Sequence, residues 1–111
     1  MFTKGNFQNI MKQAKNVQEK LEATQAELEK LEIKGQAGGG MVVAMVNGKQ
    51  ELLSLKIDPE ILADDVEMVE DLIVAAVNQG LNKAGEESQK RMSGISGSVL
   101  GSLGDLQIPG T

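Results

Sequence analysis

Two apolar segments joined by Asn47-Gly48 constrain the fold of this chain more than any other feature of its sequence. Asn-Gly between alternating apolar residues is the strongest short-range signal for a β-hairpin with a two-residue turn. Such a turn places Val43 opposite Leu52, and the alternation of side chains gives the hairpin two faces. The first face carries Val42, Ala44, Val46, Leu53, Leu55 and Ile57, and the second carries Met41, Val43, Met45 and Leu52.

Neither face of this hairpin is polar, whereas a sheet face in contact with water normally is. Helices of the same chain can cover one face. We therefore expect the other face to bind a second copy of the chain, forming a homodimer. The predicted dimer interface consists of the second-face residues Met41, Val43, Met45 and Leu52.

A long helix is predicted before the hairpin, because apolar residues recur there with alternating spacings of three and four, as in coiled coils. The seam comprises Phe7, Ile10, Ala14, Val17, Leu21, Thr24, Leu28 and Leu31. An ordinary amphipathic core helix would show the same pattern. However, about 25 helical residues span roughly 38 Å, and an eight-residue strand spans only about 27 Å. Part of the helix should therefore extend beyond the sheet.

A short first strand is possible at Ile33–Ala37, before the three consecutive glycines Gly38–Gly40. Consecutive glycines also occur in phosphate-binding loops. A Walker loop ending at Gly48-Lys49 would need glycine at 43 and serine or threonine at 50, which this chain lacks. The glycines are therefore interpreted as a flexible turn into the hairpin.

Helix-start signals follow the hairpin. Asp58 before Pro59 is typical of the N-terminus of a short helical turn. Asp64, with Glu67 three residues later, resembles the capping box of a longer helix. Acidic residues in these first turns are favoured by the helix dipole, so the seven acids of residues 58–71 are interpreted as helix capping rather than as metal ligands.

The second long helix should begin near Val66, carry its apolar residues on one face, and end near Met92. Gly80 lies on that face, where it predicts a close approach of another helix. Residues 93–111 are rich in glycine and serine and are predicted to form a flexible tail. The expected fold is α+β, with a long N-terminal helix, a small antiparallel sheet centred on the hairpin, and a long C-terminal helix.

The composition argues against catalysis. The chain has no cysteine, histidine, tyrosine or tryptophan, so thiolate chemistry and the commonest general base are missing. We expect no enzymatic activity, no cofactor, no metal and no small-molecule substrate. The longest apolar run is too short for a membrane span, and the N-terminus has no apolar signal core, so we expect a cytoplasmic protein without a membrane partner.

Charge is segregated along the chain. The formal net charge is −5, yet residues 1–18 contain three lysines and no acid. If the two helices pair antiparallel, basic residues near their far ends would meet in one basic tip. These are Lys4, Lys12, Lys15, Lys83, Lys90 and Arg91.

Two functions fit these charges. The basic tip would bind nucleic acid, although pairs such as Glu86–Lys90 and Glu87–Arg91 could also satisfy the bases within one helix. The alternative is a protein–protein adaptor that docks through its apolar helix seam and acidic surface.

Several segments in this order resemble the YbaB/EbfC family of bacterial nucleoid-associated proteins, and the likeness covers most of residues 8–92. They are Met11-Lys12-Gln13-Ala14-Lys15, Gly38-Gly39-Gly40, Asn47-Gly48-Lys49 with Leu52-Leu53, Ile57-Asp58-Pro59-Glu60, and Leu72-Ile73-Val74-Ala75-Ala76-Val77-Asn78 followed by Lys83-Ala84. The resemblance implies a homodimer with a β-rich centre and projecting helical arms, over a DNA-binding domain of residues 1–92.

The same resemblance implies non-enzymatic binding of double-stranded DNA in the nucleoid, with little sequence preference. By position, it implies that Lys12, Lys15, Lys83, Lys90 and Arg91 contact DNA. Lys4 precedes the matched part, and Gly80 and Gly85 stand where the family more often has helix formers.

Overall fold

The computed structural model describes residues 4–104 and contains two long helices and one three-stranded antiparallel sheet, which confirms the α+β class. In chain order the elements are α1 (Lys4–Lys30), β1 (Ile33–Ala37), β2 (Val42–Val46), β3 (Leu52–Ile57), a 3₁₀ helix (Pro59–Ala63) and α2 (Val66–Gly104). The molecule is elongated, with extents of 72 × 26 × 16 Å. No helix among the described residues is both long enough and apolar enough to cross a membrane.

The sheet has the order β1-β2-β3, so β2 is its central strand and the short strand predicted at Ile33–Ala37 is confirmed. The β1–β2 connection contains the three glycines Gly38–Gly40, all with positive φ, between 64° and 94°. Only glycine adopts this left-handed region without a steric penalty. The glycines therefore form a turn, as expected.

The pairing of β2 with β3 differs from that of a two-residue hairpin. Leu52 pairs with Val46 instead of Val43, and Val43 pairs with Lys56. The connecting turn spans residues 47–51 instead of two residues, and a bulge in which Leu53 is the extra residue shifts the register by one further position. Since paired residues share a face, Leu52 lies on the opposite face from the other three residues of the predicted dimer interface, and that grouping is wrong.

The buried side chain of Asn47 explains why the turn is longer than predicted. Its Oδ1 accepts hydrogen bonds from the backbone N–H groups of Lys49 and Glu51, each at 3.0 Å, and its Nδ2 donates to Glu51 Oε1 at 2.9 Å. The left-handed residue in this loop is Gln50 (φ 61°) rather than Gly48. The loop is therefore organised by the asparagine side chain.

Gly48 instead permits contact with α1. Its N–H donates at 2.7 Å to the carbonyl oxygen of Leu28 in the last turn of α1, and the same oxygen also accepts from the N–H of Leu31 at 3.2 Å. A Cβ on Gly48 would lie 2.7 Å from Leu28 Cδ2 and 2.8 Å from Leu28 O. The loop can therefore dock against the helix only with glycine at this position.

The helix α2 packs on one face of β1 and β2. The face is fully buried at Val42, Ala44 and Val46, and Ile61 of the 3₁₀ helix and Ala76 of α2 complete the core. The helix has no comparable packing against β3. On the same face of β3, Ile57 is half-buried against the core, whereas Leu52 and Leu55 are left exposed.

The close approach predicted from Gly80 is to a strand rather than to another helix. A Cβ on Gly35 of β1 would lie 2.8 Å from Gly80 Cα, and closer still to the Ala76 carbonyl oxygen and the Gly80 nitrogen. The backbones of β1 and α2 are therefore in direct contact. The predicted helix–helix role of Gly80 is wrong, because the sheet provides the neighbouring surface.

The other face of the sheet is apolar only along its central strand. Val43 and Met45 project there from β2, and Met41, just before the strand, lies beside Val43 and Lys56. Paired beside Val43 and Met45 are polar residues of β1 and β3, namely Lys34, Gln36, Ser54 and Lys56. The expectation that this face is not polar therefore holds only along β2, because the shifted register places Lys56 opposite Val43, where Leu52 was expected.

Both helices after the sheet begin where the sequence predicts, but the residue that caps α2 differs from the predicted one. Asp58 Oδ1 accepts from the N–H of Glu60 at 2.9 Å, as predicted for the start of a short helical turn. The side chain that caps α2 belongs to Asp65 and not to Asp64, since Asp65 Oδ1 accepts from the N–H of Glu67 at 3.2 Å. The N–H of Asp64 is used by the 3₁₀ helix.

The predicted end of the second helix near Met92 is wrong, because α2 continues to Gly104. Met92 and Ile95 are half-buried, and in this region α2 packs beside α1. Packing of this kind offsets the low helix propensity of the glycines. Of the predicted tail, residues 105–111 lie outside the described residues.

Candidate nucleic-acid interface

The helices α1 and α2 lie side by side with opposite chain directions. The C-terminal end of α1 is held at the sheet by the bond between Gly48 and Leu28. Beyond the sheet, Arg91 of α2 pairs with Glu27 of α1 at 3.0 Å and with Glu87 of its own helix, also at 3.0 Å. The predicted Glu87–Arg91 pair is therefore confirmed, and the same guanidinium also joins the two helices.

The apolar seam of α1 is covered over only part of its length. From Val17 to Leu31 its members are half-buried, and Leu28 is fully buried. Towards the N-terminus, Phe7 and Ile10 are exposed. The coiled-coil-like spacing thus identifies a real contact surface near the sheet, but the same spacing continues into a segment exposed to solvent.

Two of the predicted DNA-contacting residues, Lys12 and Lys15, are exposed on this N-terminal half of α1. They line an open concavity of about 750 Å³ together with Phe7 and Met11. Lys4 is the first residue of α1, and its side chain lies outside the described residues.

The predicted contacts on α2 lie nearer the sheet, and two of them already have partners. Lys83 Nζ donates to the backbone carbonyl of Lys34 in β1 at 3.2 Å. Lys90 is exposed and shares a depression of about 430 Å³ with Lys83 and Glu86. Arg91 is held between two carboxylates.

The structure does not bring the six basic residues together into one tip. Arg91 lies beside Glu27, and Lys12 is fifteen residues before Glu27 on α1, which corresponds to about 22 Å along the helix axis. Lys83 and Lys90 precede Arg91 on α2 and share a depression with Leu31 and Ile33, at the sheet end of α1 and away from Lys12. The positive charges are therefore distributed along the helices.

The acidic residues lie elsewhere in the molecule. Seven acids fall within residues 58–71, in the 3₁₀ helix, in the residues that flank it and in the start of α2. Within residues 4–104, no group of three or more acidic side chains is placed to hold a metal ion. A polyanion approaching the N-terminal half of α1 therefore meets lysine and amide side chains without a neighbouring carboxylate on that segment.

Two features of the surface were missed by reasoning from sequence. From the sequence, Leu53 and Leu55 are expected on the face that helices cover and Leu52 on the opposite face, because nothing in the sequence marks Leu53 as a bulge. The bond from Arg91 to Glu27 joins residues 64 positions apart. No sequence pattern in a single chain indicates a pairing over that separation.

Comparisons of this chain with a family model, with known relatives and with a solved structure give consistent results. The model of the YbaB/EbfC DNA-binding family matches residues 4–99. A nucleoid-associated protein of Chlorobium phaeobacteroides is 51% identical over 96 residues, and one of Clostridium perfringens is 50% identical over 96 residues; each alignment covers 86% of both chains. The crystal structure of an uncharacterized protein from Helicobacter pylori has the same fold, with a TM-score of 0.67, 22% identity, and coverage of 84% of this chain and 95% of that one.

Proposed function

The chain belongs to the YbaB/EbfC DNA-binding family, and from this premise we propose that it is a dimeric, non-enzymatic nucleoid-associated protein. It binds double-stranded DNA through the phosphate backbone with little sequence preference, and it resides on the nucleoid in the cytoplasm. The observation that carries the proposal is the family match over residues 4–99. The relatives of about 50% identity are named as nucleoid-associated proteins, which supports the proposal.

The binding surface is the exposed length of the two helices rather than a single tip. Lys12 and Lys15 on α1 and Lys90 on α2 are the primary phosphate contacts, because all three are exposed. Lys83 and Arg91 contribute less, since each would have to exchange an existing partner for a phosphate. Lys4 stays a predicted contact from its place in the sequence alone.

Binding of this kind is driven by release of counterions from the DNA. Three phosphate contacts in each subunit give about six in a dimer, so the logarithm of the binding constant should fall with a slope of about −5 against the logarithm of salt concentration. The net negative charge of the chain does not prevent this, because the potential is local and falls off over a Debye length of about 10 Å at 0.1 M salt.

The dimer forms through β3, an edge strand with an uncovered apolar face. Leu52, Leu53 and Leu55 are 49%, 51% and 38% exposed, respectively. An exposed apolar edge strand is a site for pairing with another chain. Leu52 keeps its proposed place in the interface, whereas Met41, Val43 and Met45 lie on the opposite face and would join it only if the partner wraps around the edge.

The DNA contacts are tested by replacing Lys12, Lys15 and Lys90 together with glutamine. We expect the affinity for a duplex to fall by at least about 100-fold at low salt and the salt slope to approach zero, because each lost phosphate contact removes about 0.9 from the slope. The measurement is a gel-shift or anisotropy titration over a range of salt concentrations. Duplexes of unrelated sequence should give similar affinities.

A matched control makes the same change of charge at the sheet end of the molecule. Lys30, Lys49 and Lys56 are exposed there, and replacing all three with glutamine should leave the salt slope unchanged. If the two triple variants lose affinity equally, net charge and not this surface controls binding. If neither loses affinity, the assignment of the contacts is wrong.

A further inference from the structure

The surface that carries Lys12 and Lys15 also carries two large apolar side chains. Phe7 is 59% exposed and Met11 is 56% exposed. Phe7, Met11 and Lys15 follow one another at intervals of four residues, so they form one stripe along α1. All of these side chains line the same concavity of about 750 Å³.

A ligand that reaches the lysines therefore also touches the apolar pair. Residues 1–18 contain no acid, so the charge of this segment is complementary to a polyanion. Phosphate groups offer no favourable contact to a phenyl ring or a thioether. The faces of the bases do, and they become accessible when a base step is opened.

We propose that Phe7 and Met11 enter the minor groove and wedge between base pairs, so that the protein bends the DNA it binds. This inference rests on the proposed function. An α-helix with its side chains is about 10 Å wide, and the minor groove is only about 6 Å wide, so the groove must open when α1 is seated against it. Opening of this kind kinks the duplex towards the major groove.

The wedge is compatible with little sequence preference. Every base pair presents an apolar face, and stacking on an aromatic side chain is tolerant of sequence. Selectivity would arise instead from the ease of deformation, which is greatest at pyrimidine–purine steps such as TA. A protein that inserts these side chains would favour flexible DNA without forming hydrogen bonds to base edges.

The test measures bending and affinity separately. A duplex of about 30 base pairs carries a fluorescence donor and acceptor at its two ends, and its energy transfer is recorded at saturating protein. We expect the unmodified protein to raise energy transfer, corresponding to a bend between about 20° and 90°. The variant with both Phe7→Ala and Met11→Ala should leave the DNA straight, lose about tenfold in affinity, and keep its salt slope.

Two further variants separate the wedge from the charge. With Phe7→Leu and Met11→Leu the bend should be retained, because leucine also wedges between base pairs. With Lys12→Gln and Lys15→Gln the salt slope should fall, while DNA that is saturated remains bent. Phe7 and Met11 are both exposed, so the alanine variant should keep the helical circular dichroism of the parent.

Two results would overturn the wedge while leaving the proposed function intact. One is DNA that stays straight when bound by the unmodified protein; the other is DNA that the alanine variant bends equally well. A third result, loss of binding to phosphatidylglycerol vesicles in the alanine variant with no change towards DNA, would reassign the stripe to a membrane and also overturn it. Absence of any DNA binding would overturn the proposed function together with the wedge.

Discussion

At Gly35 the absence of a side chain sets the distance between α2 and the sheet. A Cβ there would meet the backbone of α2 at Ala76 and Gly80, with Gly80 Cα at 2.8 Å. Backbone atoms of a packed helix cannot rotate away as a side chain can. The helix must therefore shift as a body, and the core residues beneath it lose their packing.

We expect Gly35→Ala to lower the free energy of unfolding by about 3 kcal/mol or more, at the upper end of the cost of overpacking a core. Urea denaturation followed by circular dichroism measures this change. Gly80→Ala is the matched control on the other side of the contact. The nearest atoms to its Cβ would be the two Val46 methyl groups, each at 3.4 Å, and the Gly35 nitrogen at 3.5 Å.

The control should be within about 1 kcal/mol of the parent protein, because the better helix propensity of alanine offsets the slightly tight contact. Equal destabilisation by the two variants would show that the helix does not approach the strand as closely as described. The pair thus tests the position of the helix and not glycine content in general.

The residues Asn47-Gly48 show why sequence predicts a turn but not its geometry. The same dipeptide forms a two-residue type I′ turn when both residues take positive φ. Here Asn47 instead uses its side chain to hold Lys49 and Glu51, and Gly48 is needed for contact with Leu28. Both uses select the same amino acids, and only the contact with α1 distinguishes them.

At the scale of elements, the C-terminal half of α2 is helical despite several glycines. Gly94 and Gly97 are exposed, and a Cβ on either one would meet nothing within 4 Å. Each glycine costs a helix interior about 1 kcal/mol relative to alanine. This part of α2 is therefore less stable than a helix of the same length with alanine at these two positions.

Replacing Gly94 and Gly97 together with alanine should stabilise this segment by about 2 kcal/mol. We expect more negative ellipticity at 222 nm and slower amide hydrogen exchange beyond Met92. Gly38→Ala offers a contrast, because its φ of 64° is unfavourable for alanine, so it should destabilise the protein. If amides beyond Met92 exchange in the parent protein as fast as in an unfolded chain, α2 does not extend past Met92 in solution.

The elements themselves were largely predictable. Periodicities of 3.6 and 2 residues identified both helices and the strands, because burial of one face leaves a direct trace in the sequence. The bulge at Leu53 and the continuation of α2 past Met92 were not predictable. Both depend on packing against residues distant in sequence, and such packing overrides local propensity.

For the whole molecule, the uncovered leucines of β3 predict self-association. We expect Leu55→Asp to weaken the dimer by about 3 kcal/mol or more, roughly two orders of magnitude in dissociation constant, because an unpaired charge would be buried in the interface. Sedimentation equilibrium at micromolar concentrations measures this change. The thermal transition at low concentration should survive, since Leu55 is 38% exposed in one chain.

Ser54→Asp provides the control for the direction of the side chain. Ser54 is the neighbour of Leu55 on β3, is exposed, and pairs with Met45 on the opposite face. A dimer that survives Ser54→Asp and not Leu55→Asp has the leucine face at its centre. The reverse result would restore the face of Met41, Val43 and Met45 as the interface, and a stable monomer in the parent protein would contradict dimerisation altogether.

The candidate site was only partly predictable at this scale. The prediction that Lys12 and Lys15 contact DNA rests on the absence of acids around them, a property of the sequence itself, and their exposure on α1 agrees with it. Their separation from Lys83, Lys90 and Arg91 follows from the pairing of Arg91 with Glu27, which was not apparent from the sequence. Local charge in the sequence therefore indicates which basic residues are candidates for binding DNA, and the packing of the two helices decides which of them lie together.

The uninterrupted course of α2 has a mechanical consequence. The same helix rests on the sheet through Gly80 and continues past Arg91 beside α1, so no joint separates the two regions. A torque applied at the far end is transmitted to the strands. Two copies joined at β3 would hold their helices at a fixed spacing and angle. The dimer would therefore contact DNA at two sites a fixed distance apart.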